Sequence, residues 1–203
     1  MGSTGGRRTL DRERAIEQAM REFWRHGYEA TSVSRLTQVL GIKPPSLYWA
    51  FGDKRGLFDE AVRHYQRTYG AFAARALDEE PNACAAVRRL LHECAVEYTD
   101  DTHPAGCLLV TAATTCGPES EDVRQALQEL REQAKARLVT KIEIDVAAGE
   151  LPSGTSPQGL GTYVAAVVQG MSAQARDGAG RETLRQVAEL AMTGWPTTGP
   201  SGM

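Results

Sequence analysis

Across residues 11–193 of this 203-residue chain, apolar side chains recur at three- and four-residue spacing. No run alternates with the period of two that a half-buried strand needs, so the expected fold is all-α with no sheet. Residues 11–26 set the pattern. Ile16, Ala19, Met20 and Phe23 fall at i, i+3, i+4 and i+7, Trp24 widens the stripe, and Gly27 follows as a stop. Thr31 and Ser32 are helix-capping residues ahead of Val33, Leu36, Val39 and Leu40, and Gly41 ends that segment. Pro44 and Pro45 are tolerated only in a first helical turn, which fixes the start of a short third helix that closes at Gly52. Asp53 then caps a long fourth helix with Leu57, Phe58, Ala61, Val62, Tyr65, Tyr69 and Phe72 inward.

Further helices are expected at residues 83–98, 106–115, 120–148, 160–176 and 180–193, with a turn-rich loop at 149–159. The total is about nine helices. The expected organisation is a flexible arm at 1–10, a three-helix domain at 11–58 that continues into the fourth helix, a helical body at 59–194 and a patternless tail at 195–203.

Hydrophobic residues make up 41% of the chain, enough to bury a core, which excludes disorder as the main state. The longest apolar stretch, near residues 163–168, is far shorter than a membrane span. No apolar segment follows Arg7 and Arg8, so no secretory signal is read and a cytoplasmic location is expected. Charge is unevenly divided. Residues 1–67 hold 12 Lys and Arg against 8 Asp and Glu, whereas the remainder holds 11 against 18. A basic front end on an acidic body suits a polyanionic partner that meets only the first third.

The four cysteines, Cys84, Cys94, Cys107 and Cys116, form no CxxC pair, and His26, His64, His92 and His103 are scattered. No metal site and no cofactor are expected. The thiols read as reduced, buried small hydrophobes; the sharper alternative is a thiol or electrophile sensor at Cys107 or Cys116, although neither has a basic neighbour in sequence. An enzyme would need convergent chemistry, and there is no GxSxG, Gly-rich phosphate loop, metal spacing or plausible triad. No catalytic residue is therefore assigned.

Gly41-Ile42-Lys43 joins two short helices as a helix-turn-helix requires: a glycine to reverse the chain, then an apolar residue to pack inward. The surrounding block, FWRHGYEATSVSRLTQVLGIKPPSLYWAFGDKRGLF, resembles the DNA-binding domain of the TetR/AcrR family of bacterial transcriptional regulators. The resemblance rests on Phe23, Gly27-Tyr28, Thr31-Ser32, Gly41-Ile42, Leu47-Tyr48, Phe51, Lys54 and Leu57-Phe58.

The resemblance implies double-stranded DNA as a partner. Thr31 and Ser32 would meet phosphate at a helix N-terminus. Lys43, Pro44, Pro45 and Ser46 would open the recognition helix, whose first residues face base edges in the major groove. Tyr48 and Lys54 would contact phosphate, Trp49 is the aromatic expected to be exposed, and Arg35 could reach backbone or bases. Leu47 and Phe51 are expected in the core. Arg7 and Arg8 could enter the minor groove. Lys43 stands where the family usually has Ser or Thr as the cap; a lysine cannot cap, so its charge is free for DNA.

The family's body binds ligand and dimerises. The segments HPAGCLLVTAA and QGMSAQARDGAGRETLRQVAELA also resemble one subgroup. The implied homodimer would pair the last two helices in a four-helix bundle through Val164, Val167, Val168 and Met171 with Leu184, Val187, Ala188 and Ala191. Ala165, Ala166, Gly170 and Ala173 would permit close approach. The implied pocket for a small-molecule effector draws on Phe72, Tyr98, Cys107, Leu108, Thr111 and Tyr163. The expected activity is repression at a palindromic operator, released by a small molecule. A ligand-free DNA-binding protein is the second alternative beside the thiol sensor.

Overall fold

The computed structural model describes residues 11–114 and 116–198. Among these, ten α-helices and one 3-10 turn (Pro118–Ser120) are present and no strand. The helices are α1 (Arg12–His26), α2 (Val33–Leu40), α3 (Pro44–Phe51), α4 (Lys54–Arg67), α5 (Ala71–Glu79), α6 (Ala83–Glu97), α7 (Leu108–Thr114), α8 (Glu121–Ala147), α9 (Pro157–Arg176) and α10 (Arg181–Thr193).

Side-chain capping explains half of the α-helix starts. Asp11, Ser32, Asp53, Asn82 and Ser156 each accept a hydrogen bond from the backbone N–H three residues on, at 2.7–3.2 Å. Each satisfies a donor that the helix itself leaves open.

The expected long fourth helix is two helices. The chain leaves helical geometry at Thr68, whose hydroxyl donates to the His64 carbonyl at 2.8 Å. A Cβ at Gly70 would lie 2.7 Å from the Tyr65 ring, so only glycine lets the chain turn this closely over Tyr65. Tyr69 and Phe72 keep their inward apolar roles from different helices. The far end also differs from expectation: Trp195 is buried in the core, so packing continues past α10. The arm at 1–10, with Arg7 and Arg8, lies outside the described residues, as do residues 199–203.

The N-terminal unit packs α1 across α4 and closes with α2 and α3. Its centre is Met20, Phe23, Leu36, Leu47, Leu57 and Phe58, all buried. Phe23 meets Phe58 edge-on at 5.0 Å between centroids, the geometry aromatic quadrupoles favour. In the body, α6 lies between α5 and α10, and α8 between α7 and α9.

Two joints tie the units together. At one, Trp24 stacks on His103 and meets Tyr65 edge-on, both at 4.8 Å, while Arg21 donates to the Thr102 carbonyl and the Tyr69 hydroxyl, both at 2.6 Å. At the other, the Gly117 N–H donates to the Glu29 carboxylate and Arg55 pairs with Asp122.

Candidate nucleic-acid interface and effector cavity

The turn between α2 and α3 is set by Gly41. It adopts φ 64° and ψ 31°, and the Ile42 N–H reaches back to the Thr37 carbonyl at 3.0 Å. A side chain at this left-handed position would be strained. Beyond the turn, Leu47 and Phe51 enter the core while Tyr48 and Trp49 point out. Trp49 is 90% exposed, an extreme for the largest side chain in the code, and nothing among the described residues accounts for it.

Lys43 precedes α3 and makes no side-chain cap, while Pro44 and Pro45 remove two of the donors that would need one. Lys43, Pro44, Pro45 and Ser46 are all exposed. Residues 30–52 contain Arg35 and Lys43 and no Asp or Glu. An exposed aromatic pair, a free lysine and no carboxylate make a surface that a phosphate backbone approaches without repulsion.

Four expected contacts behave differently from one another. Ser32 is exposed; its oxygen accepts from the Arg35 N–H at 3.1 Å, leaving its hydroxyl proton for an outside acceptor. Thr31 is a correction: it is fully buried, and its hydroxyl donates to the Gly27 carbonyl at 2.7 Å, pinning the α1–α2 turn. Arg35 pairs with the buried Glu22 carboxylate and bonds the His26 ring at 2.8 Å, so it is held against α1. Lys54 lies 4.1 Å over the Tyr28 ring, and burial pushes its pKa down. Its ammonium is thus partly committed to a cation–π contact.

The body encloses a cavity of about 340 Å³. It lies between the end of α4, α5, α6, the start of α7, α8 and α9, with Tyr65, Leu77, Tyr98, Cys107, Leu138 and Val168 among its walls. The Tyr65 hydroxyl donates to the Cys107 sulfur at 3.4 Å, and burial drives the Tyr65 and Tyr98 pKa values up, so both phenols stay neutral donors. Burial likewise pushes the Cys94 and Cys116 thiols up, Cys116 with further upward pressure from Glu29 and Asp122. Neither is prepared to be a thiolate. Cys107 lies in the cavity lining together with Arg131 of α8, a proximity that sequence neighbours could not reveal.

Of the six expected pocket residues, Tyr98 and Cys107 line the cavity. Phe72, Leu108 and Thr111 are buried beside it without lining it, so they build the core. Tyr163 stands 44% exposed on the outer face of α9, with its hydroxyl on the Ala191 carbonyl at 3.3 Å. The sequence reading missed the contributions of α8, notably Leu130, Arg131 and Leu138. Their only signal was apolar spacing within a long, strongly charged helix.

The expected dimer residues also divide. Val164, Met171, Leu184, Ala188 and Ala191 are buried within the protomer, whereas Val167, Val168 and Val187 are half-buried and Val168 faces the cavity. The outward face of α9 carries Tyr163, Ala166, Gly170 and Ala173 instead, and α10 adds Leu190, 69% exposed.

A helix-turn-helix presenting an aromatic pair, joined to a helical body with an internal cavity, defines a regulator built in one chain: a reading head and a chamber. The sequence pattern described as bacterial regulatory proteins, tetR family, matches residues 15–61, and that of the tetracyclin repressor-like C-terminal domain matches 83–191. The chain belongs to the TetR family of transcriptional regulators. It is 33% identical to the HTH-type transcriptional repressor ComR of Escherichia coli (strain K12), covering 96% of this chain and 93% of ComR. Identity to the repressor BdcR of the same organism is 31%, over 88% and 86%. Among solved structures, a cysteine mutant of the TetR family regulator CifR, complexed with 26-bp double-strand operator DNA, superimposes with a TM-score of 0.88 at 42% identity. That match covers 93% of this chain and 98% of CifR. No helix among the described residues is long and apolar enough to cross a membrane.

Proposed function

We propose that this protein is a cytoplasmic, non-enzymatic repressor that binds a palindromic operator as a homodimer and is released by a small molecule in the cavity of its body. The observation that carries the reading is the pairing of an exposed Tyr48-Trp49 surface, free of carboxylates, with a cavity whose wall includes Tyr65 of α4. Residues 11–58 form the DNA-binding domain in this reading and 59–194 the effector and dimerisation body. Lys43, Pro44, Pro45, Ser46, Tyr48 and Trp49 meet the major groove, and Ser32 a phosphate. Arg35 and Lys54 are secondary contacts, because each must first give up the partner it holds.

Dimerisation through the outward faces of α9 and α10 brings two copies of α3 into successive major grooves, roughly 34–36 Å apart. Small residues at Ala166, Gly170 and Ala173 favour close helix approach there, flanked by Tyr163 and Leu190. A ligand that displaces Tyr65 acts on α4 directly and on α1 through the Tyr65–Trp24 edge contact. It shifts operator affinity only by its preference for the released arrangement, ~1–3 kcal/mol in typical couplings.

A second reading is favoured by one observation, the placement of Cys107 in the cavity wall, bonded by the Tyr65 hydroxyl and sharing the lining with Arg131. There the effector is an electrophile that alkylates Cys107. If Cys107→Ser retains full release by an alkylating agent, that variant is removed.

The test of the main reading is selection of duplexes from a random DNA pool by the full chain, beside a Tyr48→Ala, Trp49→Ala double variant. Enrichment of a palindrome by the unmodified protein alone is expected. Enrichment of nothing, or equal weak binding by both, would overturn the assignment.

A further inference from the structure

Three cations of α8, Arg131, Lys135 and Arg137, reach the cavity wall, and no Asp or Glu does. Two of them are neutralised from outside: Lys135 lies 2.5 Å from Glu132, and Arg137 pairs with Asp78. Those partners are well exposed, so both pairs sit at the rim. Arg131 is different. Its Nη1 donates to the Leu109 carbonyl at 2.6 Å, and it has no carboxylate partner among the described residues.

A guanidinium carries five N–H donors, so most of those on Arg131 lack a protein acceptor. Burial pushes its pKa down, the direction expected of a cation withdrawn from water, and the nearby Glu132 charge does not offset it. The apolar part of the lining includes Leu77, Leu138, Val164 and Val168. A half-buried fork whose donors are largely free of protein partners, in a cavity lined in part by hydrocarbon, is complementary to one kind of small molecule.

We propose that the cavity takes a small amphipathic carboxylate, its headgroup received by the free donors of Arg131 and its hydrocarbon part by the Leu77–Leu138–Val168 wall. One available cation suits a singly charged head, and the planar fork suits the two oxygens of a carboxylate. The proposal rests on the cavity being the effector site, yet binding and release are separately measurable.

The probes are octanoate and octan-1-ol, matched in chain length and differing in charge. Each is titrated calorimetrically into the full chain and into Arg131→Gln, Arg131→Lys and Arg137→Gln, with thermal melts confirming that each variant folds. Octanoate is expected to bind the unmodified protein at least about tenfold more tightly than the alcohol. Arg131→Gln should reduce octanoate to the alcohol's affinity, Arg131→Lys should keep part of the preference, and Arg137→Gln should keep all of it. Equal affinities in the unmodified protein overturn the proposal, a comparison that does not depend on any variant folding. So does a preference that survives in Arg131→Gln, or the absence of octanoate binding up to ~10 mM, where affinity is below that of any specific site. Operator release, followed by fluorescence anisotropy on the selected duplex, separates the two layers. Preferential octanoate binding without release sinks the effector reading and leaves the carboxylate site standing, whereas release by the alcohol and not by octanoate overturns the carboxylate assignment.

Discussion

The reading surface on α3 and the cavity in the body divide labour among their residues in opposite ways. Along α3, alternate roles fall to different side chains: Leu47 and Phe51 hold the helix down, while Tyr48 and Trp49 project from it. In the cavity the same side chains do both jobs. Tyr65 is 2% exposed, contacts Trp24, bonds Cys107 and lines the chamber at once. Binding specificity can therefore change on α3 at little cost in stability, whereas a change of ligand in the body has to be reconciled with the packing of α1 and α4.

The sharpest way to break this comparison is to cut α3 on each face. Leu47→Ala empties a fully buried site and should cost about 2–5 kcal/mol, read as a lower melting temperature and urea midpoint. Trp49→Ala should leave stability within about 0.5 kcal/mol while weakening operator binding by ~1–3 kcal/mol, roughly 5- to 150-fold, by anisotropy. If Trp49→Ala destabilises as much as Leu47→Ala, the separation of roles on α3 is wrong.

In the cavity the two effects should refuse to separate. Tyr65→Phe keeps the ring against Trp24 but removes the donor to Cys107. The expected loss is about 0.5–1.5 kcal/mol of stability, with altered ligand affinity in the same variant. An effect on ligand binding alone, with an unchanged melt, would show that the Tyr65–Cys107 bond belongs to the site and not to the fold.

The same contrast decides what was legible in the sequence. The α2–α3 unit was readable because its rules are local: Gly41 for the left-handed turn, prolines for the start of α3, and spacing that sends Leu47 in and Trp49 out. Thr31 escaped because two adjacent hydroxyls both suit a cap, and only the fold shows that Ser32 caps while Thr31 bonds back to Gly27. The break at Thr68 was invisible because apolar spacing runs unbroken from Leu57 to Phe72, and the glycine that permits the turn acts through contact with Tyr65. The cavity was half legible. Apolar residues of a body helix serve core or chamber alike, and which one depends on partners far away in sequence, as Tyr65 is from Arg131 and Gln169. The residues expected to pair α9 and α10 between copies divide for a related reason. Periodicity finds the most apolar stripe of α9 and α10, and that stripe is consumed by the protomer's own core.

The joint between the two regions offers the smallest expected effect and the most specific test of how they are connected. Glu17 of α1 accepts from Arg21 at 2.6 Å, from the Tyr69 hydroxyl at 2.8 Å, and faces the His64 ring at 3.0 Å. Burial works to raise its pKa, but these hydrogen bonds and the Arg21 charge outweigh it, and the net position is below the ordinary 4.5. A carboxylate whose folded pKa is depressed stabilises the fold above its unfolded pKa, and that contribution disappears as pH falls through the folded value. Melting should thus show no Glu17 contribution to pH dependence between pH ~7 and ~5.5, and a loss below ~4.5 that Glu17→Gln lacks. Glu17 is only partly buried, so solvent screening holds the difference to about 1 kcal/mol or less, ~2–4 °C for a chain of this size. Parallel acid profiles for the two proteins would mean that Arg21 reaches Thr102 and Tyr69 without help from Glu17. The aromatic stack of Trp24, His103 and Tyr65 would then be the connection that matters at this joint.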